Sequence, residues 1–246
     1  MRLSNRTNAV FALVATIGLV VGAAAIAQDS EPKHKTFTAA DGLNVTVKMV
    51  SPVSAKADLQ IISVFKHKAS GDAYIEAWKD FDDKVGNVVS ALRDRGEFVG
   101  ELGETIDFAS PPSSITAKHI LLIGLGEEKS LSLESLRVVG RVAVRESIRL
   151  HAHTVSFAPA IRDQGNSTID VGEGDRAFAE NVLTAYDTER RLQAQGLAEK
   201  FEIADFTINA GPQFFDGAVS QVEQGLKLTG EQLEKRDANP YRKASK

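Results

Sequence analysis

The apolar run Ile120-Leu121-Leu122-Ile123, entered from His119 and broken at Gly124-Leu125-Gly126, constrains the fold more than any other stretch of the chain. A strand without polar alternation has no face to give to water, so it belongs in the middle of a sheet covered on both sides. Covering both faces takes a layer of helices above and below. One such helix follows at once. Ser132 is placed to cap it, Glu134 stands in its first turn, and it is predicted to run to about Leu150. Its face Leu136, Val139, Gly140, Ala143, Ser147 is small in the middle, which suits close packing.

The same alternation continues on either side. Val45 to Val50 and Leu59 to Phe65 read as strands, and residues 73–95 as a helix interrupted at Gly86. Thr105 to Phe108 is a short strand stopped by Pro111-Pro112, and Thr154 to Ala158 is another. Asp175 to Gln195 is predicted as a helix closed by Gly196. Phe201 to Ile208 reads as a strand whose apolar parity shifts after Ile203, the signature of a bulge. A last helix is expected from Gln213 to Leu233. Together these predict a three-layer α/β sandwich, its mixed, largely parallel sheet flanked by helices.

The ends read differently. Arg2 and Arg6 precede a nineteen-residue uncharged run, Ala9 to Ala27, that closes on the small-x-small pattern Ala25-Ile26-Ala27 and turns polar at Gln28. This is the layout of a secretory signal peptide. The expected organisation is a signal at residues 1–27 cleaved after Ala27, a polar leader at 28–36, a domain at 37–233 and a polar tail at 234–246. The expected location is periplasmic or secreted, with no membrane attachment after cleavage; the alternative reading of the run is a retained membrane anchor. Removing the signal lowers Lys+Arg from 29 to 27 against 33 acidic residues, a formal charge of −6. Such a balance argues against a nucleic-acid partner. The absence of cysteine excludes disulfides, a thiol nucleophile, Cys-ligated zinc and iron–sulfur clusters.

Four segments carry a resemblance. ILLIGLGEEKSLSLESLRVVGRVAVR (residues 120–145), GNVVSALRDRGEFVGELGETIDF (86–108), DLQIISVF (58–65) and FDGAVSQVEQGLKL (215–228) resemble, in order and spacing, the N-terminal domain of the leucyl aminopeptidase (cytosol aminopeptidase) family. The resemblance covers about residues 40–240 and implies a macro-domain-like fold. In that family a second domain holds two divalent metals within an Asn-Thr-Asp-Ala-Glu-Gly-Arg segment. This chain has no such segment, so no catalytic residue, metal ligand or cofactor is carried over. The family's N-terminal domain packs in a large oligomer, which implies a protein partner or a homo-oligomer. Macro domains that bind ADP-ribose use an Asn-Ala-Ala-Asn segment after an early strand. Here that place holds Lys66-His67-Lys68, with Gly86 alone near the second position, so the resemblance implies a degenerate nucleotide site.

Among candidate sites, Gly124 and Gly126 precede a helix and could cradle a phosphate on backbone N–H groups. A third glycine is missing and Glu127-Glu128 would repel an anion, so a structural turn is the simpler reading. His151 and His153 could share a metal, but they sit between a helix and a strand where solvated loops are common. His67 reads as an exposed turn, and Asp80, Asp82 and Asp83 as a solvated face paired with Lys79 and Lys84. The polar loop Arg162 to Thr168 follows a strand, where ligand crevices of α/β sheets form. The expected ligand surface is therefore Gly124, Gly126, Arg162, Asp163 and Asn166. The function these readings favour is a non-catalytic exported homologue of the aminopeptidase N-terminal domain. It would bind a small ligand or a protein, such as a separate catalytic chain. The alternative is a macro-like protein that binds or hydrolyses ADP-ribose or a related nucleotide.

Overall fold

A computed structural model describes residues 31–39 and 41–236; the expected signal at 1–27, the start of the expected leader and residues 237–246 of the expected tail lie outside the described residues. Among these, seven strands form one sheet: β1 (His34–Thr38), β2 (Asn44–Lys48), β3 (Leu59–Val64), β4 (Thr105–Ala109), β5 (His119–Gly124), β6 (Thr154–Ala158) and β7 (Asp205–Asn209). Five α-helices pack on it: α1 (Glu76–Lys84), α2 (Val88–Asp94), α3 (Leu133–Arg149), α4 (Val171–Ala194) and α5 (Phe215–Leu233). The strand order is β1-β2-β7-β6-β3-β5-β4. The five inner strands are parallel, and the edge strands β1 and β4 pair antiparallel to their neighbours.

The uninterrupted apolar run is β5, and its residues alternate between two cores as the strand period requires. Leu121 and Ile123 join Ile61, Val155 and Phe157 beneath α3, α4 and α5. Ile120 and Leu122 join Ile62 and Val64 on the other face, under Trp78 and Phe81 of α1. Stacking of Phe157 on Phe178, ring centroids 3.8 Å apart, ties the sheet to α4. Helix α3 sits against α4 so closely that a Cβ on Gly140 would lie 2.6 Å from the carbonyl oxygen of Phe178. Ser132 caps α3 by accepting the Ser135 N–H, as the sequence predicts.

The interruption at Gly86 is real. Gly86 and Asn87 both have left-handed φ, +75° and +58°, and separate α1 from α2. Asp82 spans the break: its carboxylate accepts the Val89 N–H at 3.0 Å and the Ser90 hydroxyl. The expectation that Asp82 lies on a solvated face is therefore corrected, because this carboxylate is buried and satisfies donors at the start of α2. Its neighbours Lys79 and Asp83 do form the expected exposed pair.

Three other boundaries differ from expectation. Strand β1 straddles the end of the predicted leader, with His34 to Thr36 inside it; it is an exposed edge strand with one apolar residue, Phe37, so it carries no periodicity to read. Helix α4 starts at Val171, four residues early, because Gly172 and Gly174 conceal a start that the Asp170 side chain caps through the Glu173 N–H. Strand β7 begins only at Asp205. Ile203 is buried in the preceding loop, which accounts for the parity shift without a bulge.

Candidate functional site

A cavity of about 550 Å³ opens at the carboxyl ends of β2, β6 and β7. Its walls are the segments that leave those strands (49–52, 158–163 and 209–214), the start of α1, Leu136 of α3 and the first turns of α4. Such a crevice outside the carboxyl ends of parallel strands is where α/β sheets place their ligands.

The loop after β6 is built rigidly. Gln164 is buried, accepts the Phe65 N–H at 2.8 Å and donates to the Ser63 and Ala160 carbonyls at 3.1 and 3.0 Å. The Arg162 guanidinium donates to the carbonyls of Asn166 (3.0 Å) and Ile169 (2.9 Å) and lies 5.9 Å from the Phe214 ring centroid. Asn166 accepts the Thr168 N–H and hydroxyl. The Asp163 carbonyl accepts the Ile75 N–H at 2.9 Å and so fixes the entry to α1. Two residues lining the cavity, Glu76 and Ala160, hold φ near +50°, a region unfavourable to residues with a Cβ.

Two buried polar groups stand out. Asp175 in α4 is 2% exposed, and its Oδ2 has no hydrogen-bond partner. Burial, reinforced by Asp170, pushes its carboxyl up to about 8, so it is mostly protonated at neutral pH. Asn209, 8% exposed at the end of β7, accepts the Ser156 hydroxyl on Oδ1 at 2.7 Å, while its Nδ2 has no partner. Leaving such groups unsatisfied costs about 1–3 kcal/mol each. Burial together with Glu76 pushes Asp163 up to about 6. Four acids, Glu76, Asp163, Asp170 and Asp175, thus line the cavity against one base, Arg162, while Leu136, Ile161, Ile169 and Phe214 supply apolar wall.

Of the five residues expected at a ligand surface, the structure brings Arg162 and Asp163 to the cavity. Asn166 is buried within the same loop and does not line the cavity. Gly124 and Gly126 lie elsewhere, against residues 100–104: Gly124 donates to the Glu104 carbonyl and Gly126 to that of Gly100. A Cβ on Gly124 would lie 1.9 Å from the Glu101 carbonyl oxygen, so this glycine answers to a backbone crossing. His151 and His153 pack their rings on Phe201, centroids 5.3 and 4.5 Å away. Among the described residues no three or more His, Asp or Glu side chains group so as to hold a metal. His67 is part-buried, its Nδ1 3.0 Å from Asp72, which corrects the exposed-turn expectation. Asp72 in turn pairs with the buried Arg93. Although burial opposes ionisation of Asp72, hydrogen bonds from Arg93 and His67 outweigh it and hold the carboxyl at about 2.

The sequence reading passed over Asp175 and Asn209. Both had a faint signal: a carboxylate just after Gly172-Glu173-Gly174, and a polar residue at the carboxyl end of a strand.

This strand order, with helices on both faces and a crevice at the strand ends, defines a macrodomain-like α/β protein. A macrodomain mutant from Oceanobacillus iheyensis superposes with a TM-score of 0.56 over 84% of this chain and 98% of that one, at 11% identity. Another, solved with ADPR, gives 0.58 over 79% and 100%, at 8% identity. A mutant of tomato leucine aminopeptidase gives 0.55 over 83% of this chain and 38% of that chain, at 17% identity. The chain belongs to the cytosol aminopeptidase family, through its N-terminal domain: residues 61–190, more than half of the chain, match that domain. It is 26% identical over 143 residues to a probable cytosol aminopeptidase of Thermosynechococcus vestitus, which takes in 58% of this chain and 27% of that protein. It is 32% identical over 85 residues to the cytosol aminopeptidase of Pseudomonas aeruginosa, 35% of this chain and 16% of that protein. The chain thus spans well under half the length of these curated relatives. No helix among the described residues is long and apolar enough to cross a membrane.

Proposed function

We propose that this chain is an exported form of the aminopeptidase N-terminal domain that binds a small ligand and performs no peptidase chemistry itself. The observation that supports ligand binding over docking on a separate catalytic chain is the cavity of about 550 Å³, lined by two buried polar residues, Asp175 and Asn209, that each keep an unpartnered side-chain atom. A cavity of this size suits an organic molecule of modest size. Export rests on the layout of residues 1–27 alone.

Titration of a fragment library into the ¹⁵N-labelled chain tests the binding. Saturable shifts confined to the segments after β6 and β7 are expected for at least one compound, and a library that leaves those amides unmoved overturns the reading. The non-catalytic part is tested with a chromogenic leucine amide in the presence of manganese or zinc; metal-dependent release above a protein-free control defeats it. Expression in a Gram-negative host is expected to yield periplasmic protein beginning at Gln28, and an uncleaved cytoplasmic product would end the export claim.

The likeness to a macrodomain solved with ADPR favours a second reading, an ADP-ribose or nucleotide ligand. The four acids around the cavity count against a diphosphate. Calorimetry with ADP-ribose at millimolar concentration decides: saturable heat supports this second reading, and its absence removes it.

A further inference from the structure

We propose that the cavity at the ends of β6 and β7 is selective for a protonated amine carried on an apolar body, with Asp175 as its counter-ion. The inference rests on the ligand-binding reading above and names the chemical class. Three observations carry it. Asp175 lines the cavity, and its buried Oδ2 has no hydrogen-bond partner, so a donor is what this carboxyl lacks. The rim carboxylates Glu76, Asp163 and Asp170 add negative potential around the same opening. The basic side chain among the lining residues, Arg162, has donors held by the carbonyls of Asn166 and Ile169, and its one positive charge stands against four acids.

The start of α4 does not reverse this. Helix N-termini attract anions through their free N–H groups. Here the Asp170 carboxylate already accepts the Glu173 N–H at 3.0 Å, and Glu173 adds a charge in the first turn. The unpartnered Nδ2 of Asn209 is a donor, and it takes a hydroxyl or carbonyl oxygen on the same ligand. An ammonium group favours the ionised form of Asp175, so its arrival releases a proton. Burial and Asp170 oppose ionisation of Asp175, and Glu76, Asp163 and Arg162 are the other charged groups that line the same cavity. Affinity for an amine therefore rises between pH 6 and pH 8.5.

Three probes with the same phenyl group and closely similar length test this: 4-phenylbutylamine, 4-phenylbutan-1-ol and 4-phenylbutyrate, each titrated into the ¹⁵N-labelled chain at pH 7.5. The amine is expected to shift the Ala160, Ala210 and Gly211 amides with a Kd at least about tenfold below that of the carboxylate. Asp175→Asn should weaken the amine about tenfold and leave the alcohol within about twofold. Should Asp175→Asn not fold, Asp163→Asn serves, with an expected loss of about threefold that shrinks at high salt. Equal or tighter binding of the carboxylate, or an amine affinity untouched by the substitution that folds, overturns the proposal. Binding of the alcohol or carboxylate without the amine removes the class and leaves the ligand site standing. If none of the three moves those amides, the amine assignment falls, and the ligand reading falls with it only when the wider library is also silent.

Discussion

Asp175 shows how one residue can be unfavourable for the fold and useful to a site. Its carboxyl is raised to about 8 in the folded chain by burial and by Asp170, against a usual value near 4 when unfolded. Between those pH values the native state holds a proton that the unfolded chain releases, so this group lowers stability progressively as pH rises through the window. Asp175→Asn removes the titration and keeps the shape. It is expected to stabilise the ligand-free chain by on the order of 2 kcal/mol at pH 8, with the gain fading towards pH 4. Urea unfolding of both proteins across this range checks it, and a gain that does not vary with pH contradicts the assignment. Asp72 behaves oppositely. Held at about 2, its stabilising contribution is present above the unfolded value and is lost as pH falls through 4 towards 2.

Among the elements, the helical glycines divide by what stands opposite. Gly140 of α3 faces the Phe178 carbonyl across a gap that no Cβ fits, at 2.6 Å. Gly174 of α4 faces Ile169 and Leu136 at 3.8 and 4.0 Å, ordinary contacts. Gly140→Ala must push α3 off α4 and should destabilise by about 1–3 kcal/mol. Gly174→Ala gains helix propensity without a clash and should stabilise by about 0.5–1 kcal/mol. Denaturant midpoints of the two variants, expected to move in opposite directions, are the measurement. The same helix α3 carries arginines at 137, 141, 145 and 149, a stripe at four-residue spacing. Each arginine pairs with an acid: Glu134 takes two of them, Glu189 one, and Glu146 with Asp107 the last. The stripe is therefore neutralised within the chain.

At the scale of the whole domain, one sheet separates two apolar cores among the described residues. The single tryptophan, Trp78, is fully buried in the core beneath α1 and α2, whereas most helical residues lie over the other core. Because β3, β5 and β6 contribute side chains to both faces, neither core can open without the sheet. Trp78 fluorescence and far-UV circular dichroism are expected to report one coincident urea transition. Separated midpoints would mean that the α1–α2 layer unfolds by itself.

Much of this was legible in the chain. The strands β3, β5 and β6, the capped start of α3 and the break at Gly86 follow from local patterning: a buried strand must be apolar on both faces, a helix must be capped, and a sharp turn needs positive φ. Those features, with the quoted segments, determined the fold class and the family. Edge strand β1 left no trace because an exposed strand needs no apolar period. The site was legible only in part. Arg162 and Asp163 could be placed at a strand end by rule, and Gly124 and Gly126 looked equally eligible. Only the tertiary structure filled the space around those glycines with residues 100–104 and left the space beside Asp163 open. It also brought Asp175 and Asn209, 34 residues apart in the sequence, to one cavity and left a polar atom on each without a partner. The physical reason is that a cavity is a property of what several distant segments fail to fill, and no local pattern in any one of them records it.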